Sequence, residues 1–259
     1  MIELVHQSKL AVVILAAGKG TRMKNPDVAK VMYEINDKPM VHYVVDLAVR
    51  LQAHRTLLVV GWQKQSVIEY ISKVHPQVEF VEQAEQLGTG HAVTQVLPAL
   101  AEFDGDLLVL SGDVPLLSEK TARALLGYHR TSEAVATILT AELDDPVGYG
   151  RIVRNEDGSV QKIVEHKDAT KAEREIHEIN SGIYVFHKQK VSECLPQLSA
   201  RNAQGEYYLT DVFELFWKNR WRVSAVKAID AVEVMGINDF TQLEAAKTLM
   251  TARASAANV

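Results

Sequence analysis

The stretch LAAGKGTRM, Leu15 to Met23, sets two glycines, a threonine and two basic side chains directly behind an apolar run. That mixture suits an anion. Gly18 and Gly20 let backbone N–H groups approach a phosphate, Thr21 adds a hydroxyl, and Arg22 offers a planar fork of donors. Lys30, a little further on, supplies a second cation. A bare G-x-G also makes a tight turn, so the glycines alone leave both readings open. Two familiar phosphate loops are excluded by spacing: a P-loop needs glycine where Val13 stands, and a dinucleotide fingerprint needs glycine or alanine where Met23 stands.

A second chemical stretch is LLVLSGDVPLL, Leu107 to Leu117. An apolar strand that ends in Ser-Gly-Asp-x-Pro puts the Asp113 carboxylate at a strand's carboxyl end, where a metal ligand or a turn cap would sit. Mg²⁺ prefers oxygen donors and keeps waters, so Asp113 with one more side-chain oxygen and substrate phosphates would suffice. Asn238 in VMGINDF is a candidate for that oxygen, and also for the N-cap of a closing helix. Zinc is not suggested, because the nine histidines show no ligand spacing and Cys194 stands alone in a helical pattern.

The elements that must position these groups read as alternating strands and helices. Apolar β-type runs at 11–16, 56–60, 78–81 and 106–110 alternate with helical patterns at 39–51, 64–71 and 90–103, which predicts a doubly wound, parallel first part. Beyond Val114 the runs at 134–143, 151–154, 160–164 and 182–186 come with fewer helices, so a mixed sheet with antiparallel strands is expected. Asp157-Gly158 marks a hairpin turn. Helices at 207–218 and 240–252 flank a strand at 222–229, and the tail TARASAANV is expected to fray. The chain reads as an α/β protein with one core: residues 10–237 as a single domain, then a C-terminal helix and tail at 238–259.

Composition removes several classes. With 259 residues and 47% hydrophobic content the chain can bury a full core. A net charge of −5 argues against a nucleic-acid-binding surface. One cysteine permits no internal disulfide, and no apolar stretch approaches the roughly 18 residues of a membrane span, so a cytoplasmic setting is expected with no membrane partner.

Several motifs in order carry a resemblance: LAAGKGTRM, QAEQLGTGHA, SGDVPL, GYGRIV, IVEHKDA, EINSGIYVF, NAQGEYYLTD and GIND. Between about Leu10 and Gln242 the chain resembles the nucleotidyltransferase domain of bacterial bifunctional UDP-N-acetylglucosamine pyrophosphorylase/glucosamine-1-phosphate acetyltransferase. The resemblance implies a Rossmann-like nucleotide-diphosphosugar transferase fold with a mixed, mostly parallel sheet. It implies Mg²⁺-assisted joining of UTP to N-acetylglucosamine 1-phosphate, with pyrophosphate leaving. These 259 residues contain no hexapeptide repeats of the parallel β-helix kind, so use of acetyl-CoA by this stretch is not expected.

Carried over by motif, the Gly18 to Arg22 turn becomes the cradle for nucleotide phosphates, Arg22 and Lys30 offset charge on the triphosphate, and Asp113 and Asn238 hold Mg²⁺. Uracil recognition falls to Gln83, with its amide donor and acceptor, helped by Gly88, Thr89 and the backbone of Ala16 and Ala17. Read without the resemblance, Gln83 caps a strand end and Thr89 is the N-cap of a helix. Gly150, Glu165, Asn180, Tyr208 and Thr210 form the sugar side. His91 and His166 receive no role. Ala29 stands where the family usually has proline, and Ser111 where tyrosine is frequent. The alternatives carried forward are a uridylyl- or thymidylyltransferase acting on glucose 1-phosphate, and a catalytically silent nucleotide-sugar sensor.

Overall fold

The structure is a computed structural model describing residues 8–23, 25 and 27–257, without the side chains at 21, 254, 256 and 257. In chain order the strands are β1 (Leu10–Ala16), β2 (Glu34–Ile35), β3 (Lys38–Pro39), β4 (Arg55–Val60), β5 (Glu79–Glu82), β6 (Asp106–Ser111), β7 (Ala136–Glu142), β8 (Arg151–Arg154), β9 (Val160–Val164), β10 (Glu178–His187) and β11 (Val223–Lys227). The helices are α1 (Met40–Arg50), α2 (Lys64–Val74), α3 (Thr89–Val96), α4 (Glu119–Ser132), α5 (Lys171–Arg174), α6 (Lys188–Cys194), α7 (Asp211–Lys218) and α8 (Phe240–Ala257). No helix among the described residues is long and apolar enough to cross a membrane.

Alternation along β1 shows why the sheet is central. Leu10, Val12, Ile14 and Ala16 face a core shared with α1, α2 and α4, while Ala11 and Val13 face a second core shared with α3, α6 and α7. Both faces are covered, as the continuous apolar run requires. The nine-stranded sheet runs β11-β7-β10-β6-β1-β4-β5, with β8 and β9 attached beside β10. β1 pairs in parallel with β4 and β6, β4 with β5, and β7 with β11. β10 lies antiparallel between β6 and β7, which makes the sheet mixed as expected. A third, smaller core of Met23, Ile35, Met40, Leu116, Ile237, Leu243 and Ala246 lies under α8 and the β2–β3 hairpin.

Several boundaries differ from the periodicity. The helix expected over 90–103 ends at Val96, because Pro98 has no N–H to give the preceding turn and the chain continues in single turns to Phe103. The helix expected from 207 begins at Asp211. The stretch before it is held extended by Tyr207 N donating to Leu87 O (2.8 Å) and Gly90 N donating to Tyr207 O (2.8 Å). α4 is a helix the sequence reading passed over, although Ser118 is its N-cap and accepts from Thr121 N at 3.1 Å. α8 does not fray at 251 but runs to Ala257: its residues are good helix formers, and Arg253 ties it to Leu116 O (3.0 Å) and Asp230 (3.2 Å). Asn258 and Val259 lie outside the described residues.

Candidate active site

β1 first connects to β4 on one side and is later paired by β6 on the other, so the carboxyl ends of β1 and β6 flank a topological switch point, the place where open α/β sheets leave a crevice. The glycine turn and the Ser-Gly-Asp turn both open there. Gly112 N donates to Leu15 O (2.9 Å) and Trp62 N to Ala17 O (3.2 Å), which pins the start of the glycine turn to its two neighbours. The turn closes with Met23 N on Gly20 O (2.9 Å), and buried Met23 roots it in the small third core.

The two glycines are there for different reasons. Gly20 has φ of +59°, and a Cβ on it would overlap Lys30 Cβ and lie 3.1 Å from Lys30 Cγ. Gly18 has neither constraint, since an added Cβ would meet nothing within 4 Å. Gly20 is needed by the fold, whereas Gly18 faces open space. The Thr21 hydroxyl falls outside the described atoms.

Four side chains from distant segments then meet. The Lys30 ammonium, on a single 3-10 turn at Lys30–Met32, bonds Asp113 Oδ2 and also donates to Asn238 Oδ1 at 2.7 Å. Arg22 Nη2 donates to the same Asn238 oxygen at 2.7 Å, across 216 residues of sequence. The Lys30 and Asp113 side chains are only 13% and 23% exposed, so water screens the pair weakly. Ile237 N donates to Asp113 O (2.9 Å), locking the two oxygen-bearing segments side by side. Asn238 is not the helix cap: Asp239 Oδ1 caps α8 by accepting from Gln242 N (2.9 Å), and Asn238 Nδ2 donates to Gly236 O (3.0 Å), leaving Oδ1 for the cluster. Ser118, not Asp113, caps α4.

These groups line a pocket of about 570 Å³. Ala16, Ala17, Gly18 and Gly20 of the glycine turn, the clustered Arg22, Lys30, Asp113 and Asn238, and Gln83, Gly88 and Thr89 all line it. Gln83 is 4% exposed, and its amide nitrogen is committed inward, donating to Gly88 O (3.0 Å) and meeting His91 Nδ1 (3.1 Å). With Nδ1 accepting, the His91 proton sits on Nε2, which lies 3.0 Å from the Gln95 amide nitrogen, also a donor, so these two atoms do not bond as placed. Of the donor and acceptor expected from Gln83, the acceptor oxygen is therefore the part left for a ligand. Thr89 is not the N-cap, a position Gly88 takes. Its hydroxyl accepts instead from Leu209 N at 3.1 Å. Gly88 has φ of +107°, and a Cβ there would sit 2.6 Å from Tyr207 O, so the 207–210 segment is pressed against the start of α3.

The residues expected on the sugar side form a second group that does not line this pocket. A Cβ on Gly150 would lie 3.4 Å from Asn180 Cβ and 3.5 Å from Glu165 Oε2, so these three are neighbours. Thr210 donates to Glu165 Oε1 (3.0 Å), and Asn180 Nδ2 donates to Tyr184 OH (2.7 Å). Burial pushes the Glu165 carboxyl above its ordinary range, with the Thr210 bond opposing in part. Tyr208 points its hydroxyl at Asp168 (3.2 Å), and with Glu165 it lines a separate cleft of about 450 Å³. Asp211 in that cleft is raised to about 6 by burial and the nearby Glu214. Sequence reasoning missed Tyr149. Its hydroxyl is buried without a hydrogen-bond partner, within reach of the charges of Asp113 and Arg22. Its place beside Gly150 in GYGRIV was the available signal.

Comparisons with known proteins show the family and the fold. Residues 11–234 match the nucleotidyl transferase family. The chain is 48% identical over 241 residues to the bifunctional protein GlmU of Geobacillus thermodenitrificans, covering 93% of this chain and 52% of that protein. It is 47% identical over 246 residues to the protein of that name from Brevibacillus brevis (95% and 52%), and 44% identical over 247 residues to the one from Streptococcus mutans (95% and 53%). The chain thus spans about half the length of these relatives. Among solved structures, UDP-glucose pyrophosphorylase complexed with UDP-glucose superposes with a TM-score of 0.76 at 17% identity, over 95% of this chain and 99% of that one. At that identity the likeness speaks for a shared fold.

Proposed function

The chain belongs to the nucleotidyl transferase family, and from that premise we propose that it joins UTP and N-acetylglucosamine 1-phosphate to give UDP-N-acetylglucosamine and pyrophosphate. The observation that carries this reading is the convergence of Arg22, Lys30, Asp113 and Asn238 at the switch point of the sheet. The similarity to the bifunctional GlmU proteins supports the choice of substrates. Residues 10–237 would form the transferase unit, with 238–259 as its closing segment.

The reaction forms a bond from a sugar-phosphate oxygen to the α-phosphorus and breaks the bond from that phosphorus to the bridging β-phosphate oxygen. An anion attacks an anion, so neutralisation and in-line positioning carry the catalysis, without a protein nucleophile. The turn from Gly18 to Gly20 would cradle the triphosphate through backbone N–H groups. Arg22 and Lys30 would offset charge gathering on the departing pyrophosphate. The Gln83 oxygen would accept from the uracil N3–H, and the buried Glu165 and Asn180 would hydrogen-bond the sugar.

A divalent cation, with Mg²⁺ as the expected ion, fits the donor set. Asp113 and Asn238 offer two hard oxygens aimed at one point, which the Lys30 ammonium now bridges as another cation would. When bound, such an ion would lower the repulsion between the two substrates' phosphates. Lys30 would then be released from the oxygens to face phosphate.

The test is pyrophosphate release with UTP or dTTP and with N-acetylglucosamine 1-phosphate or glucose 1-phosphate. Release should favour UTP with the N-acetyl sugar and fall by orders of magnitude in Asp113→Asn. Nucleotide binding with no turnover on either sugar phosphate would replace this reading with that of a silent sensor.

A further inference from the structure

Away from the phosphate pocket, α1 and the end of α2 bring together three metal-ligating side chains. His42 and Asp46 stand one helical turn apart on the same face of α1, and His75 follows the last residue of α2. His42 Nε2 is 3.2 Å from Asp46 Oδ2, and His75 Nε2 is 2.9 Å from Asp46 Oδ1. The three donor atoms lie within 4.8 Å of one another, and the two imidazole centroids are 5.5 Å apart. A tetrahedral ion with bonds of about 2.0–2.2 Å holds its donors roughly 3.3–3.5 Å apart, so small side-chain rotations would close this set around one.

A second observation points the same way. The buried Nε2 of His75 has no hydrogen-bond partner despite its short contact with Asp46, so the pair is close without being aligned as a hydrogen bond. A buried nitrogen in that state wants a further partner. His42 Nδ1 lies 3.2 Å from Tyr70 OH, the kind of outer contact that fixes a ligating imidazole with Nε2 toward the ion. The side chains of His42 and His75 are 9% and 12% exposed and that of Asp46 29%, leaving an approach for a solvent ligand.

We propose that His42, Asp46 and His75 form a binding site for a divalent transition ion of the zinc class, with a solvent molecule as fourth ligand. Two imidazoles and one carboxylate suit such an ion better than Mg²⁺, which favours all-oxygen sets. Bound there, the ion would tie α1 to α2. Both helices contact the turn that carries Lys30, so the clamp would brace that turn from behind.

The experiment uses the full chain, stripped of metal, in an Asp113→Asn background that disables the phosphate-side oxygens. Zn²⁺ is titrated by calorimetry and by melting temperature. Visible absorption of added Co²⁺ reports coordination. One saturable equivalent that raises the melting temperature is expected, lost in His75→Ala and Asp46→Asn and weakened by about 10–100-fold in Tyr70→Phe. Absence of a saturable equivalent, or one that survives both His75→Ala and His42→Ala, overturns the proposal. Should those variants fail to fold, imidazole ¹⁵N spectra of the unsubstituted ligand set decide the matter. Two Nε2 signals must shift with one equivalent of Zn²⁺, and an unchanged spectrum refutes the site.

Discussion

Replacing each glycine of the opening turn by alanine separates what the fold needs from what a ligand needs. At Gly20 the backbone is left-handed, which costs a residue bearing Cβ about 1–2 kcal/mol. The new Cβ would also overlap the root of the Lys30 side chain, which cannot swing away as a flexible tip could, and overpacking of that kind costs about 1–3 kcal/mol. Gly20→Ala should therefore destabilise by about 2–5 kcal/mol. At this chain length that is a drop in melting temperature of roughly 4–20 °C. Because Lys30 must shift off Asp113 and Asn238, turnover should fall by about 10²-fold where the protein is still folded. Gly18→Ala meets no protein atom, so its stability should stay within about 0.5 kcal/mol of the parent, while its methyl group enters the pocket and weakens UTP binding. Thermal unfolding and UTP titration on the two variants give four numbers. Unchanged UTP affinity in Gly18→Ala would mean that the turn does not cradle the nucleotide, and an unchanged melting temperature in Gly20→Ala would refute the steric argument.

Other substitutions test the remaining parts of the site and the core. Because burial raises the Glu165 carboxyl, the folded state favours its protonated form, and stability is lost as pH climbs past the ordinary value of 4.5. Glu165→Gln should then melt with the parent near pH 4 but above it at pH 7, while its KM for sugar phosphate rises; a lower melting temperature at pH 7 contradicts the cause. His129, bonded to Thr137 Oγ1 at 2.8 Å, is lowered to about 4 by burial, with Asp106 opposing. Below pH 6.5 the unfolded chain takes up a proton that the folded one refuses until about pH 4, so stability should decline across that window. The decline should be shallower in His129→Gln, measured by urea midpoints, and an equal slope in both proteins counts against it. Removing the His91 ring leaves the Gln83 amide with one anchor fewer. At about 1 kcal/mol for a neutral hydrogen bond, His91→Ala should raise the KM for UTP about fivefold with kcat little altered, and a selective loss of kcat would place His91 in another role.

The sequence by itself determined the strands of the central sheet and the turns at their ends, though not the short β2–β3 hairpin. Leu10–Ala16 is apolar throughout and Asp106–Ser111 is apolar from Leu107 to Leu110, and a strand buried on both faces accommodates such runs. Gly18, Arg22 and Asp113 were legible because they stand at the ends of those strands. Asn238 was legible as a candidate oxygen, but without the resemblance its position favoured a cap for α8 over a place in the site. Tertiary structure decided otherwise by giving that cap to Asp239 and bringing Arg22 and Lys30 to the Asn238 oxygen. It also decided that β10 enters between β6 and β7, that the Gln83 amide nitrogen is committed to Gly88 and His91, and that His75 meets Asp46. The division has one physical reason. Periodicity and turn chemistry act through neighbours in the chain. A side chain's last free lone pair or proton depends on which distant segments the burial of two apolar sheet faces brings beside it.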